Sequence, residues 1–210
     1  MCSSDLDNFR SGLTFSGSIN NAIYIGNPGA PFGSTLDGRI IYHQPFSGDF
    51  GFSSQLRYRQ WRRWSEDTKS SERFSHDSAG DMLRGIRNNE LEASDMLSLS
   101  MDLSARVLRF WPSEWFDSPR LSFFNMEFHL TPFLDLSLAR GSLYQEGITF
   151  SLNDLITSAG MELIIFSGYF RSLSLRAMLG LDLNKLGSRG FREVFSNNWF
   201  DFYIGMERAY

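Results

Sequence analysis

Cysteine is almost missing from the 210-residue sequence, and the single Cys2 excludes both a disulfide framework and a CxxC or Cys/His zinc site. Histidine is scarce as well: His43, His76 and His129 lie scattered, without metal-ligand spacing. Lysine is confined to Lys69 and Lys185 among 20 basic residues, so positive charge here is almost entirely guanidinium. Against 24 acids this leaves a net charge of -4, with no basic run of the kind that captures nucleic acid. No apolar run approaches the roughly 18 residues of a membrane helix. The sequence also lacks GxSxG, HExxH and any phosphate-cradling glycine loop, so neither catalysis nor a cofactor is expected. What is abundant is aromatic: 15% of the chain, including 20 Phe, set in a sequence that is 42% hydrophobic.

Residues 1–6 (MCSSDL) resemble the translation of a sequencing-adapter end and are set aside. On that reading the natural chain continues upstream, and residues 7–210 are the C-terminal strands of a single β-barrel domain. The alternative is a genuine short polar N-terminus.

Period-two alternation assigns the fold class. Leu97, Leu99, Met101, Leu103, Ala105 and Val107 alternate with Ser98, Ser100, Asp102, Ser104 and Arg106. The pattern returns at Met126–Leu130, at Leu134–Leu138, at Leu173–Leu183 and at Phe200–Met206. Helical packing would mix the two sets on one face. Runs of about 10 to 13 residues exceed ordinary globular strands and match what a tilted strand needs to cross a bilayer. The polar positions carry Ser, Gly, Asp and Arg, which suit a barrel lumen. The expected fold is therefore all-β, an antiparallel up-and-down transmembrane barrel of about ten strands, as part of a larger barrel.

Loop lengths set the orientation. Counting back from a last strand that ends on the periplasmic side, the connection 184–197 is external and Phe166–Phe170 is a short turn. Next come the external connection 139–156, a tight turn at Thr131-Pro132-Phe133 and the external loop 111–120. This parity demands a turn at Arg87-Asn88-Asn89 and a weak strand near 76–87, which by pattern alone could equally be a short helix. Trp61, Trp64, Trp111, Trp115 and Trp199 then fall near external strand ends, as an aromatic girdle does. The alternative is that they seal the end of an ordinary core.

Phe202, Ile204 and Met206 at two-residue steps before a terminal Tyr210 resemble the C-terminal signal of bacterial outer-membrane barrels, departing at Arg208. SFFNMEFHLTPFLDLSLARG and SAGMELIIFSGYFRSLSLRAMLGLDL are similar to the closing strands of the surface-antigen barrels, the superfamily of outer-membrane assembly and two-partner-secretion transporters. The resemblance covers about residues 90–210 and implies an outer-membrane location, the barrel assembly machinery and a lipid bilayer as partners, and an upstream periplasmic domain. It also implies an Arg-Gly-aromatic motif in a long external loop about five strands before the end. By the count above that loop is 111–120, which lacks the motif; Arg189-Gly190-Phe191 sits in the wrong loop.

The candidate lumen-facing groups are Arg57, Arg59, Asp102, Arg106, Glu127, Asp135, Glu162, Arg176, Asp182, Asp201 and Glu207. Basic groups on early strands opposing acids on late ones would set a transverse field across a pore. A salt-bridged filling is the alternative. The histidines are expected to be lumen hydrogen-bonding groups. Two functions follow: a transport or assembly barrel, or a plugged structural or adhesive surface barrel. A soluble antiparallel β protein is the third, against which stand the apolar stripes.

Overall fold

The structure, a computed structural model, describes residues 11–22, 33–63, 83–86, 90–143, 146–168, 173–190 and 200–208. Over these the chain forms one antiparallel sheet of nine strands: β1 (Gly12–Ala22), β2 (Gly33–Pro45), β3 (Phe50–Arg63), β4 (Leu91–Phe110), β5 (Met126–Leu143), β6 (Glu146–Ile148), β7 (Ile156–Ser167), β8 (Leu173–Asp182) and β9 (Phe200–Arg208). Two short helices join it, α1 (Pro112–Trp115) and α2 (Leu183–Arg189). Each long strand bonds to the next in sequence, while β6 pairs only with the end of β5. The alternation read from the sequence is the alternation of the sheet: Leu99 lies between Leu56 and Leu136, and Ser98 between Arg57 and Ser137.

The faces are inverted relative to a protein with an oily core. Along β5 the buried positions are Glu127, His129, Thr131, Phe133, Asp135, Ser137 and Ala139, while Met126, Phe128, Leu130, Leu134, Leu136 and Leu138 lie on the other, more accessible face. The register carries this outward apolar set across the sheet, for example along Leu130, Leu163, Ala177 and Ile204. Ile204 is 61% exposed and Phe202 58%.

Several expectations are corrected. Thr131-Pro132-Phe133 is no turn: β5 runs through it without a break. The β4–β5 ladder passes from Asp102 opposite Phe133 to Ala105 opposite Leu130, and Pro132, which has no N–H to donate, falls in the gap. Nor is there a strand at the described part of 76–87, because residues 83–86 form a turn and β3 pairs directly with β4. The proposed turn at Arg87-Asn88-Asn89 lies outside the described residues. Among the described residues the count is nine strands, one of them very short, against an expected count of about ten. Among the described residues β1 bonds only to β2 and β9 only to β8, so the sheet has two edge strands, which run antiparallel to each other.

Losing one turn and one strand also moves a loop. The strand ends joined by connections 23–32, 64–90, 144–155 and 183–199 are at one end of the sheet, the first end; those joined by 46–49, 111–125 and 168–172 are at the other, the second end. Trp111 and Trp115 therefore sit at the second end, opposite the end reached by Trp61 on β3. Trp64 and Trp199 lie outside the described residues. Around Trp115 the second end exposes Phe46, Phe50, Phe110, Phe116, Phe123 and Phe124.

Candidate functional site

The buried polar face becomes a site because residues 83–86 are laid into it. Leu83 and Ile86 pack against Leu91, Met96, Leu143 and Ile156 in the one apolar cluster of the described interior, toward the first end. Gly85, at φ +84°, puts its backbone on that of β8: a Cβ at Gly180 would stand 2.5 Å from the Gly85 Cα. Only glycine tolerates both the positive φ and the approach. Between these anchors the Arg84 Nε and Nη2 donate to Asp135 at 3.0 and 2.7 Å, and the Arg84 backbone N–H donates to the same carboxylate at 2.9 Å. Nη2 also lies 2.7 Å from Asp102 Oδ1, and the guanidinium carbon stands 4.0 Å above the Phe133 ring. β4 and β8 are three strand spacings apart, about 14 Å across a flat sheet. That four residues touch both means the sheet is concave around them.

Small inward residues make the room. Gly160, Gly180, Ser98, Ser137 and Ser158 line the face beneath the inserted segment, and a Cβ on Gly160 would overlap the Leu179 carbonyl and the Phe133 ring. The Ser98, Ser137 and Ser158 hydroxyls are buried without a hydrogen-bond partner among the described residues. Such groups are costly unless water or another polar occupant reaches them.

The register places Arg57, Arg59, Asp102, Arg106, Glu127, Asp135, Glu162, Arg176, Asp182 and Asp201 on this one face. Glu207 falls opposite Ser174, with its side chain outside the described residues. The expected opposition of early bases to late acids is met at Arg106 and Glu127, while Arg57 and Arg59 turn to the neighbouring strand. Asp37 on β2 takes both Arg57 and Arg59 at 2.7 Å; Arg106 meets Asp49 at 2.5 Å and Glu127 at 3.6 Å; Arg176 lies 3.4 Å from Glu162. These charges meet near neighbours, whereas Asp102 and Asp135 meet Arg84 from the connection. Asp182 serves locally, its Oδ1 accepting the Asn184 and Lys185 N–H groups at 2.9 and 3.1 Å as the N-cap of α2. His129 is fully buried, 3.5 Å from Glu127 and edge-on to Phe166 at 5.0 Å. His43 lies in β2 opposite Gly12, and His76 lies outside the described residues.

Sequence reasoning missed Arg84 and Asp37. Asp37 was legible as an inward position two residues from Arg39. For Arg84 the signal was a bare Arg-Gly between Leu83 and Ile86, in a stretch without alternation. Phe202 and Ile204 are exposed on the outward face and Met206 follows in register opposite Leu175, whereas Tyr210 lies outside the described residues. No group of three His, Cys, Asp or Glu placed to hold a metal occurs among the described residues. No family model, curated protein or solved structure matches the chain.

Proposed function

We propose that this chain builds the wall of a bacterial outer-membrane β-barrel with a polar lumen, serving transport or assembly. The inverted faces of β5 carry the reading: acids, His and Ser inward, Leu, Met and Phe outward. Twelve residue rises separate Met126 from Leu138, about 40 Å of strand. At the usual barrel tilt that covers roughly 30 Å, the thickness of a bilayer's hydrocarbon. Exposed Phe and Trp at the second end are what a membrane interface takes up. Thr14, Ser16 and Ser18 on β1 share the inward face with Arg39 and Asp37 and stay exposed, as the lining of a water-filled space would. On this reading the assembly machinery recognises Phe202, Ile204, Met206 and Tyr210, the bilayer covers the outward face, and nucleic acid has no part.

Likeness to the surface-antigen barrels gains from the strand count. Five long strands, β4, β5, β7, β8 and β9, follow connection 64–90, and that connection carries Arg84-Gly85, with Ile86 where the superfamily has an aromatic residue. The motif that 111–120 lacks thus has a counterpart in the loop the resemblance calls for.

Conductance in planar bilayers tests the proposal, with the chain and its Arg84→Ala variant compared. A current that rises when Arg84 is removed supports a lumen obstructed by residues 83–86. Silence from both favours the second reading, a plugged structural or adhesive barrel, for which the same inserted segment is the supporting observation. A monodisperse fold in plain buffer would sink both in favour of a soluble β protein.

A further inference from the structure

Gly17 and Gly38 face each other in the middle of β1 and β2, on the outward face. Glycine weakens a strand interior, and where it persists there it marks a bend or a close approach by something else. No bend is present, neither residue has a positive φ, and a Cβ on Gly38 would meet nothing within 4 Å. The two missing side chains open a groove of about 420 Å³, walled by Phe15, Ile40 and Leu56 on one side and by Tyr58 and Leu97 on the other. Polar groups border it toward the first end. Leu36, Gln60, Asp95 and Arg140 form the next outward row, Asp95 keeping the outward parity of Leu97 and Leu99. Asp95 accepts from the Gln60 amide at 2.7 Å and from the Tyr58 hydroxyl at 3.3 Å. Arg140 stands 3.7 Å from Asp95 with its side chain 67% exposed, a guanidinium with donors to spare.

We infer that this groove binds one phospholipid, its acyl chain over Gly17 and Gly38 and its phosphate on Arg140. The inference rests on the membrane reading above, which puts this face against lipid, and adds to it a particular lipid site. An apolar trough within the outward band, with a cation three strands from Gly38, about 14 Å across the sheet and within the reach of one acyl chain, has the polarity of a phospholipid laid along the wall. Arginine is suited to the headgroup because its fork of donors matches phosphate oxygens. Tyr58 supplies an apolar flank below and a hydroxyl above.

Native mass spectrometry of the chain refolded into dodecylmaltoside micelles tests this, with dioleoyl phosphatidylglycerol and neutral dioleoylglycerol as probes. The wild-type chain should retain phosphatidylglycerol. Gly38→Leu fills the trough without touching the backbone, and should lower retention about fivefold, since in hydrocarbon the gain comes from packing and hydrogen bonds worth ~1 kcal/mol each. Gly147→Leu, also in open space, should leave it unchanged. Arg140→Gln should weaken phosphatidylglycerol and spare dioleoylglycerol. Equal retention by wild type and a folded Gly38→Leu chain overturns the lipid site while leaving the membrane reading intact. A dimer that Gly38→Leu abolishes overturns it in favour of a second copy. A chain that folds in plain buffer overturns the membrane reading and the lipid site together.

Discussion

Arg84 has two carboxylates, an aromatic face and a backbone anchor, and Asp135 beneath it is fully buried. Removing one partner of such a pair leaves the other charge uncompensated, so Arg84→Ala should cost about 3 kcal/mol. Guanidinium unfolding in detergent would read this, and Asp135→Asn added to Arg84→Ala should recover part of the loss. Glycine at 180 matters for a different reason. Gly180→Ala collides with the Gly85 backbone, so the inserted segment must lift, and trypsin should cut after Arg84 faster than in the wild-type chain. Gly38→Ala meets open space and should leave that cleavage unchanged; equal rates in both variants would count against the seating of Gly85. None of this was visible in the sequence. The partners lie 51 residues apart between Arg84 and Asp135, and no local pattern links a turn to two strands that come later.

At the scale of the strand, the alternation of Leu97 to Ala105 was fully legible, because a period of two sorts side chains to faces whatever the partner. Pro132 misled, since it ordinarily marks a strand end. The contrary signal was present in the phase: Met126, Phe128 and Leu130 before it and Leu134, Leu136 and Leu138 after it all keep the same parity. A turn would have had no reason to preserve it. The faces make opposite predictions for adjacent residues. Leu136→Arg puts a charge on the outward face of β5 and should cost about 2–4 kcal/mol in lipid. Ser137→Ala, which removes a hydroxyl without a partner among the described residues, should be neutral or slightly stabilising. Urea unfolding of the chain in vesicles would compare them, and similar losses for both would contradict the inverted faces. In the connection between β6 and β7 the Asp154 carboxylate accepts from the Thr149 hydroxyl at 2.6 Å and from its N–H at 2.8 Å, which holds its pKa below the ordinary value. A lowered carboxylate stabilises the loop above the ordinary value of 3.8, and the effect is lost as pH falls through the lowered one. Thr149→Val should return Asp154 toward 3.8 in an NMR titration.

For the whole molecule, the meander and its outward apolar band were legible, while the end occupied by Trp111 and Trp115 was not. Parity is a running count, so one false turn moves every loop upstream of it until a second error restores the phase. The structure puts the exposed Trp115 with the last residues of β9 at the second end. In oriented vesicles, lipids brominated near the headgroup of the leaflet at the second end should quench Trp115 fluorescence; quenching only from the opposite leaflet would reverse the orientation. Timing follows from the inserted segment as well. Every contact in the sheet joins strands adjacent in the chain, apart from β5 with β7, whose only intervening strand is the short β6. The wall can thus grow hairpin by hairpin as the chain emerges. Residues 83–86 precede all four strands that hold them, and Gly180 on β8 comes nearly a hundred residues later. The segment must wait beside an unfinished seat. Its docking then waits for β8, and a chain cut before β8 would carry the segment without the backbone that Gly85 rests on.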